Sequence, residues 1–223
     1  IDARFWRKSA AGLSTYTQSL VRNLAKRDHL NRYTILITPA DVAEFDVVAS
    51  NVTALVVPIG HYSLAEQTKL VRVLDKLEPD LVHFLHFNHP IRYRGKFVVT
   101  MHDLTVVYWP VGRQQRNPLR RWAFLVVMKD AVRRANRVIA VSRSTRDDLV
   151  RDLGAEPTRI SVIPEGLSLV TTKVQAASVL APLGITAPYL LFVSQWRPHK
   201  RIEDLVAAFE VVGRTNPELQ LVL

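Results

Sequence analysis

Four short stretches carry side chains that bind or polarise ligands, and each follows an apolar run or opens a helical pattern. They are Gly12 ahead of the first helical pattern, His102-Asp103 after Thr100-Met101, Pro164-Glu165-Gly166 after Ile160 to Ile163, and Arg197 with Lys200 after Val193-Ser194. Such positions are strand ends, where open α/β sheets bind ligands. Asp103 can either orient His102 or cap the following turn, and capping is the simpler reading. The triplet His83, His86 and His89 raises a zinc site. On a strand, residues 83 and 86 point to opposite faces, so the preferred reading is a strand end lining a cleft, with no metal.

The elements that must hold these residues are legible from periodicity. Apolar runs of strand length occur at 33–38, 52–58, 81–85, 96–102, 137–142, 160–164, 189–194 and 219–223. Helical patterns fill 64–77, 118–134, 144–153 and 201–212, and another follows Gly12, where Leu13, Leu20, Val21 and Leu24 share a face. Ser144 to Asp147 has the spacing of a helix start. Val-, Ile- and Leu-rich strands alternating with helices imply parallel βαβ units, hence a doubly wound α/β fold. The pattern weakens over 167–186 and a new strand opens at Tyr189. Residues 1–166 are therefore expected to form one Rossmann-like domain, 167–186 a linker, and 187–223 the first βαβ part of a second, incomplete domain. Ile1 to Arg4 reads as the tail of a strand and Leu219 to Leu223 as a strand cut short, so the chain is expected to be part of a longer protein.

Composition narrows the function. The 223 residues hold 48% hydrophobic and 22% charged side chains, enough for a real core and unlike a disordered chain. With no cysteine, disulfide scaffolds, thiolate metal sites and cysteine nucleophiles are excluded. There is no run of roughly 18 apolar residues for a membrane span. The loops G-x-G-x-x-G and G-x-x-x-x-G-K-[ST] and the elbow G-x-S-x-G are all missing, which removes the sequence support for dinucleotide oxidoreductases, P-loop phosphotransferases and serine hydrolases. The net charge is +10, and it is concentrated. Residues 92–146 carry thirteen Lys and Arg against Asp103 and Asp130, leaving the rest of the chain at −1. This basic sector, interleaved with Tyr93, Tyr108, Trp109, Trp122 and Phe124, suits a solvated helix face, a nucleic acid, an anionic membrane or a phosphorylated substrate.

Taken in order, the stretches resemble the retaining glycosyltransferases of family four, which have the GT-B fold of two Rossmann-like domains. The matching pieces are Ile1-Asp2-Ala3-Arg4, Gly12 to Tyr16, Pro79-Asp80-Leu81-Val82-His83, Val99 to Leu104, Arg137 to Ser142, Ile163 to Gly166, and Tyr189 to Lys200 ending in Arg197-Pro198-His199-Lys200. The resemblance covers nearly the whole chain and implies hexosyl transfer, with mannose from GDP-mannose the most common case, from a nucleotide-diphosphate sugar to a glycan or lipid-phosphate-linked acceptor. It implies catalytic roles for His102, Arg197 and Lys200. Arg197 and Lys200 would stabilise charge growing on the departing diphosphate, and His102 would hydrogen-bond a donor-sugar hydroxyl. Gly12, Asp103, Gly166 and Ser194 would lie on the donor side, and Tyr16, His83 and His86 on the acceptor side. Family members carry a paired-glutamate motif later in the second domain, beyond Leu223, so this stretch is not expected to complete a donor site or to be active alone.

The expected location is cytoplasmic, with peripheral attachment to the inner face of a membrane where the basic sector meets anionic lipid. The alternative is a basic α/β nucleic-acid-binding module, supported by a pI near 10.2 and the same sector. Its aromatics match no base-stacking motif, and nucleic acid is not the expected partner.

Overall fold

The computed structural model describes residues 1–7, 12–109, 117–166, 176–186 and 188–223. Ala10 and Ala11 beside Gly12, Arg113 and Arg116 of the basic sector, and residues 167–175 of the expected linker lie outside that set. The chain divides into two compact units, one holding the described residues up to 166 and the other those from 176 onward.

The larger unit is built on parallel strands. Strand β1 (Tyr33–Ile37) pairs with β2 (Val52–Val56), and β3 (Val82–Phe84), β4 (Phe97–Met101), β5 (Arg137–Ala140) and β6 (Ile160–Val162) pair in that order. Asp2 joins the two groups, bridging Leu36 on one side and Phe84 on the other, both in parallel. With the Asp2 segment counted as the first strand, the order is 3-2-1-4-5-6-7, the 3-2-1-4-5-6 of a doubly wound sheet with one further strand. The connections change sides at Asp2 and β3, the switch point beside which doubly wound sheets bind their ligands.

Both faces of this sheet are covered, which is why its strands are apolar without strict alternation. Successive residues of β1 enter different cores: Leu36 packs with Leu70, Leu74, Phe84 and Val99, whereas Ile35 and Ile37 pack with Ala3, Trp6 and Val21. Helix α1 (Gly12–Arg27) buries Ser14, Thr17, Val21 and Ala25, one helical stripe. Helix α2 (Leu64–Leu77) starts at Ser63, whose side chain accepts from the Glu66 N–H, and buries Glu66, Leu70 and Leu74. The short helix α3 (Thr105–Tyr108) precedes α4 (Pro118–Arg134), which Asn117 caps and Pro118 opens. Helix α5 (Arg143–Leu153) ends at Gly154, which adopts φ 67. Its cap corrects the sequence reading: the helix starts on Ser142, not Ser144. Ser142 is extended at the end of β5, and its hydroxyl accepts from the Thr145 N–H at 3.0 Å.

The smaller unit contains α6 (Ala176–Leu180) and one βαβ element. In the latter, β7 (Tyr189–Leu191) pairs in parallel with β8 (Gln220–Val222) through α7 (Ile202–Gly213). Every strand and long helix read from periodicity is present. The sequence does not mark α3 or the 3-10 turns at 39–44, 157–159, 181–183 and 198–200, which are too short to show a period.

Candidate functional site

The loops that follow the strands of the larger unit share one edge of the sheet, because all the strands run in parallel. His102 leaves β4 there. Its Nε2 lies 3.0 Å from the Leu85 carbonyl and its Nδ1 2.8 Å from Glu165 Oε1. Each neighbour holds one edge of the ring, which fixes its orientation. The first turn of α5 fixes the backbone beneath, with the Thr145 hydroxyl donating to the His102 carbonyl at 3.1 Å.

Tyr16 from α1 sets its ring edge-on to His102, with centroids 4.8 Å apart. The Tyr16 hydroxyl lies 3.0 Å from Thr100 Oγ1, and the same oxygen lies 2.9 Å from His83 Nε2. Thr100 is fully buried in β4, so its single hydroxyl organises both rings. Burial raises the Tyr16 hydroxyl above its ordinary pKa and lowers His83 to about 4. His86, two residues past the end of β3, stacks near His102 at 6.1 Å, and burial lowers it to about 3. Both imidazoles are neutral at physiological pH.

The structure therefore brings Tyr16, His83, His86 and His102 together on one strand edge. The three histidines of the triplet do not converge. His83 turns to Thr100, His86 to the aromatic cluster, and His89 to Asp130 Oδ2 at 3.0 Å and to the Phe87 carbonyl. Among the described residues no group of three His, Asp or Glu could hold a metal. Asp103 is exposed and accepts from the Thr105 N–H at 2.8 Å, the capping role, while Glu165 rather than Asp103 contacts His102. Gly12 and Gly166 are exposed, with open space where a Cβ would stand.

Ser194, Arg197 and Lys200 belong to the smaller unit. Arg197 is extended and precedes the turn Pro198–Lys200, closed by the Lys200 N–H on the Arg197 carbonyl at 2.8 Å. Arg201 is paired with Asp204 at 2.5 Å, whereas Arg197 and Lys200 are exposed and make no ion pair among the described residues. Two cations three residues apart are thus left available for an anion.

A buried charge cluster supports the larger unit's edge, and the sequence did not announce it. The Arg4 guanidinium grips Asp2 with two bonds of 2.8 and 2.7 Å, donates to Glu66 Oε1 at 2.6 Å, and reaches the Ile59 carbonyl at 3.1 Å. Burial alone would push the Asp2 carboxyl up, but Arg4 holds it below the ordinary range. Glu66 also accepts from Asn88 at 2.8 Å and from the Tyr62 N–H at 2.9 Å. Beside it stand Phe5, His61, Tyr62 and Phe87, rings that sequence reasoning missed: Phe5 stacks on His61 at 3.6 Å, and Tyr62 meets Phe87 as well as His86 and Phe124.

The basic sector is less free than its composition suggests. Arg134 donates to the Ile91 and Tyr93 carbonyls and pairs with Asp130, and Arg121 donates to the Val107 carbonyl. These guanidiniums tie α3 and the segment between β3 and β4 to α4. On the same helix Leu119 and Trp122 are exposed beside Arg120. Among the described residues no helix is long and apolar enough to cross a membrane.

Over 106 residues the chain is 39% identical to the alpha-maltose-1-phosphate synthase of Mycolicibacterium smegmatis, an alignment that covers 44% of this chain and 26% of that protein. The chain thus spans about a quarter of the length of that relative. The family model for Glycosyltransferase Family 4 matches residues 10–170, more than half of the chain and nearly all of the larger unit. That match, over a doubly wound parallel sheet, makes this chain a member of glycosyltransferase family 4.

Proposed function

We propose that the protein to which this chain belongs transfers a hexose from a nucleotide-diphosphate sugar to a glycan or lipid-linked acceptor, with retention of configuration. The observation that carries the reading is the convergence of Tyr16, His83, His86 and His102 at the switch point of a family 4 domain. The relative's name, a synthase of alpha-maltose-1-phosphate, supports carbohydrate chemistry and keeps glucose beside mannose as the moved sugar. Residues 1–166 form the acceptor-side domain, some of whose loop residues also meet the donor, and residues from 187 onward begin the donor-binding domain.

In this reading the bond from the sugar's anomeric carbon to the β-phosphate oxygen breaks, and a new one forms to an acceptor hydroxyl. The acceptor's proton passes to the departing phosphate. Arg197 and Lys200 stabilise the charge that gathers on the diphosphate, where fixed cations lower the barrier most. His102, held by Glu165 and the Leu85 carbonyl through its two ring nitrogens, hydrogen-bonds a hydroxyl of the donor sugar by giving up one of these two partners. Gly12, Asp103, Gly166 and Ser194 contribute on the donor side.

The exposed Leu119 and Trp122 beside Arg120 support a peripheral position on an anionic membrane, since apolar, aromatic and cationic side chains together suit that interface. Binding to vesicles with and without anionic lipid tests this point, and equal binding to both removes it.

Thermal unfolding of the full-length protein with UDP-, GDP-, ADP- and TDP-sugars and the free nucleotides tests the transfer reading, because a ligand of the native state raises apparent stability. A selective shift by one nucleotide family is expected. Shifts by oligonucleotides and by no nucleotide sugar would instead favour the nucleic-acid module.

A further inference from the structure

Two adjacent residues of the larger unit carry costs that its fold alone does not require. Tyr62 is a bulky aromatic residue at φ 54, in the left-handed region that disfavours side chains. Glu66 holds it there by accepting the Tyr62 N–H at 2.9 Å, and Arg4 anchors Glu66 from beneath. Its neighbour His61 donates from Nε2 to the Arg4 carbonyl at 2.8 Å. Burial keeps that ring neutral, so Nδ1 is a lone-pair acceptor, and it is buried without a partner. A strained backbone and an orphaned polar atom side by side are features that persist where function uses them.

The location points to a ligand. Phe5 follows the Asp2 segment and His86 follows β3, so their rings, 5.6 Å apart, stand on the two sides of the switch point. From there a continuous series of rings leads outward. Tyr62 lies 6.3 Å from His86, His86 lies 6.1 Å from His102, and His102 lies 4.8 Å from Tyr16. Tyr62 remains 43% exposed, while His86 and Phe87 behind it are largely covered.

The surface chemistry selects among occupants. The Phe5, Tyr62 and Phe87 rings carry no charge, burial lowers His61 and His86, and Arg4, the cation beneath them, is spent on Asp2 and Glu66, so this part of the wall offers little to a phosphate. Aromatic faces alternate with imidazole edges, so it is not the unbroken apolar surface that an acyl chain needs. A pyranose presents one face of C–H groups and a rim of hydroxyls, and fits both features.

From this juxtaposition we infer that Tyr62, propped by Glu66 and flanked by His86, is the stacking platform of a sugar-binding subsite that takes a neutral pyranoside as acceptor. Calling the ligand an acceptor rests on the transfer reading, but binding the pyranoside does not. Saturation-transfer NMR of the full-length protein with methyl α-glucopyranoside and methyl α-mannopyranoside reads the contact from the sugar's C–H protons. At least one glycoside should show transfer concentrated on one ring face, reduced at least fivefold by Tyr62→Ala and kept by Tyr62→Phe. Tyr62→Asn, which tolerates the left-handed backbone, should lose the signal without lowering the melting temperature, which separates binding from folding. Absence of transfer to either glycoside in the wild type, or an unchanged signal in Tyr62→Ala, overturns the subsite. If nucleotide sugars still stabilise that protein, the transfer reading survives this loss. Glycoside contact without any nucleotide-sugar response keeps the subsite and removes the transfer reading.

Discussion

Glu165 and His102, 63 residues apart in sequence, meet at 2.8 Å through Oε1 and Nδ1 across the ends of β6 and β4. The contact fixes one ring edge of the histidine while the Leu85 carbonyl fixes the other. A ring held at both nitrogens keeps one orientation, and catalysis depends on orientation.

Replacing Glu165 by Gln keeps the shape and removes the charge. The Glu165 side chain is 46% exposed, so the fold should tolerate the change. A charge-assisted hydrogen bond reduced to a neutral one is expected to lower kcat/KM by roughly 3–10-fold. His102→Ala, which removes the ring itself, should cost more, about 100-fold. Equal losses in the two variants would place Glu165 in direct contact with substrate instead.

Arg4 is the residue whose loss the larger unit should tolerate least. Its side chain is fully buried and bonds both Asp2 and Glu66. Arg4→Met would strand two buried carboxylates, and removing one partner of such a cluster costs about 3–5 kcal/mol. Urea denaturation followed by circular dichroism should show the midpoint fall by that equivalent. Glu66→Gln should be milder, because an amide oxygen can still accept from Tyr62.

The skeleton was legible in the sequence because burial of both sheet faces forces Val, Ile and Leu into runs such as Phe97–Met101, and packing forces stripes such as Glu66, Leu70 and Leu74. The bounds of α2 coincide with its pattern. His102 could be nominated from its place after an apolar run and His83 and His86 from their triplet at a strand end, whereas Tyr16, inside α1, is reached only through the family resemblance. Tyr62 could not. A left-handed tyrosine has no compositional signature, and Ser63 with Glu66 has the spacing of a capping box, which would send the carboxylate to Ser63. It turns one residue earlier, to Tyr62, and inward to Arg4. Ile1 to Arg4 likewise reads as a strand tail, and nothing in four residues shows that Arg4 will find Glu66 sixty-two positions away.

His83 and His86 set the response of the fold to acid. In the unfolded chain both titrate near 6.5, whereas folded they are lowered to about 4 and about 3 by burial. Below pH 6.5 the unfolded chain therefore binds protons that the folded chain refuses. Stability is fully present above that value and is lost as pH falls toward 4, by up to about 1.4 kcal/mol per pH unit for each ring. The urea midpoint should drop between pH 7 and pH 4.5. In His83→Gln and His86→Gln together the slope over this window should flatten; an unchanged slope would show that other groups carry it.

The role proposed for Arg197 and Lys200 is to act on charge and not to hold the fold. Both are exposed, and neither makes an ion pair among the described residues, so alanine at either position should leave the melting temperature within about 1 °C, the usual behaviour of surface substitutions. Transfer in the full-length protein should nevertheless fall by about 10²–10³-fold for each, the scale measured when a donor to a developing oxyanion is removed. Arg197→Lys discriminates the mechanism further. A second point charge keeps the electrostatic attraction but loses the planar fork that holds two phosphate oxygens, so partial activity is expected, below wild type and above Arg197→Ala. The neighbouring Arg201, already committed to Asp204, serves as the internal control: Arg201→Ala removes the same formal charge from the same turn. It should leave the rate nearly unchanged, and a loss equal to that of Arg197→Ala would show that only the local charge of the segment matters.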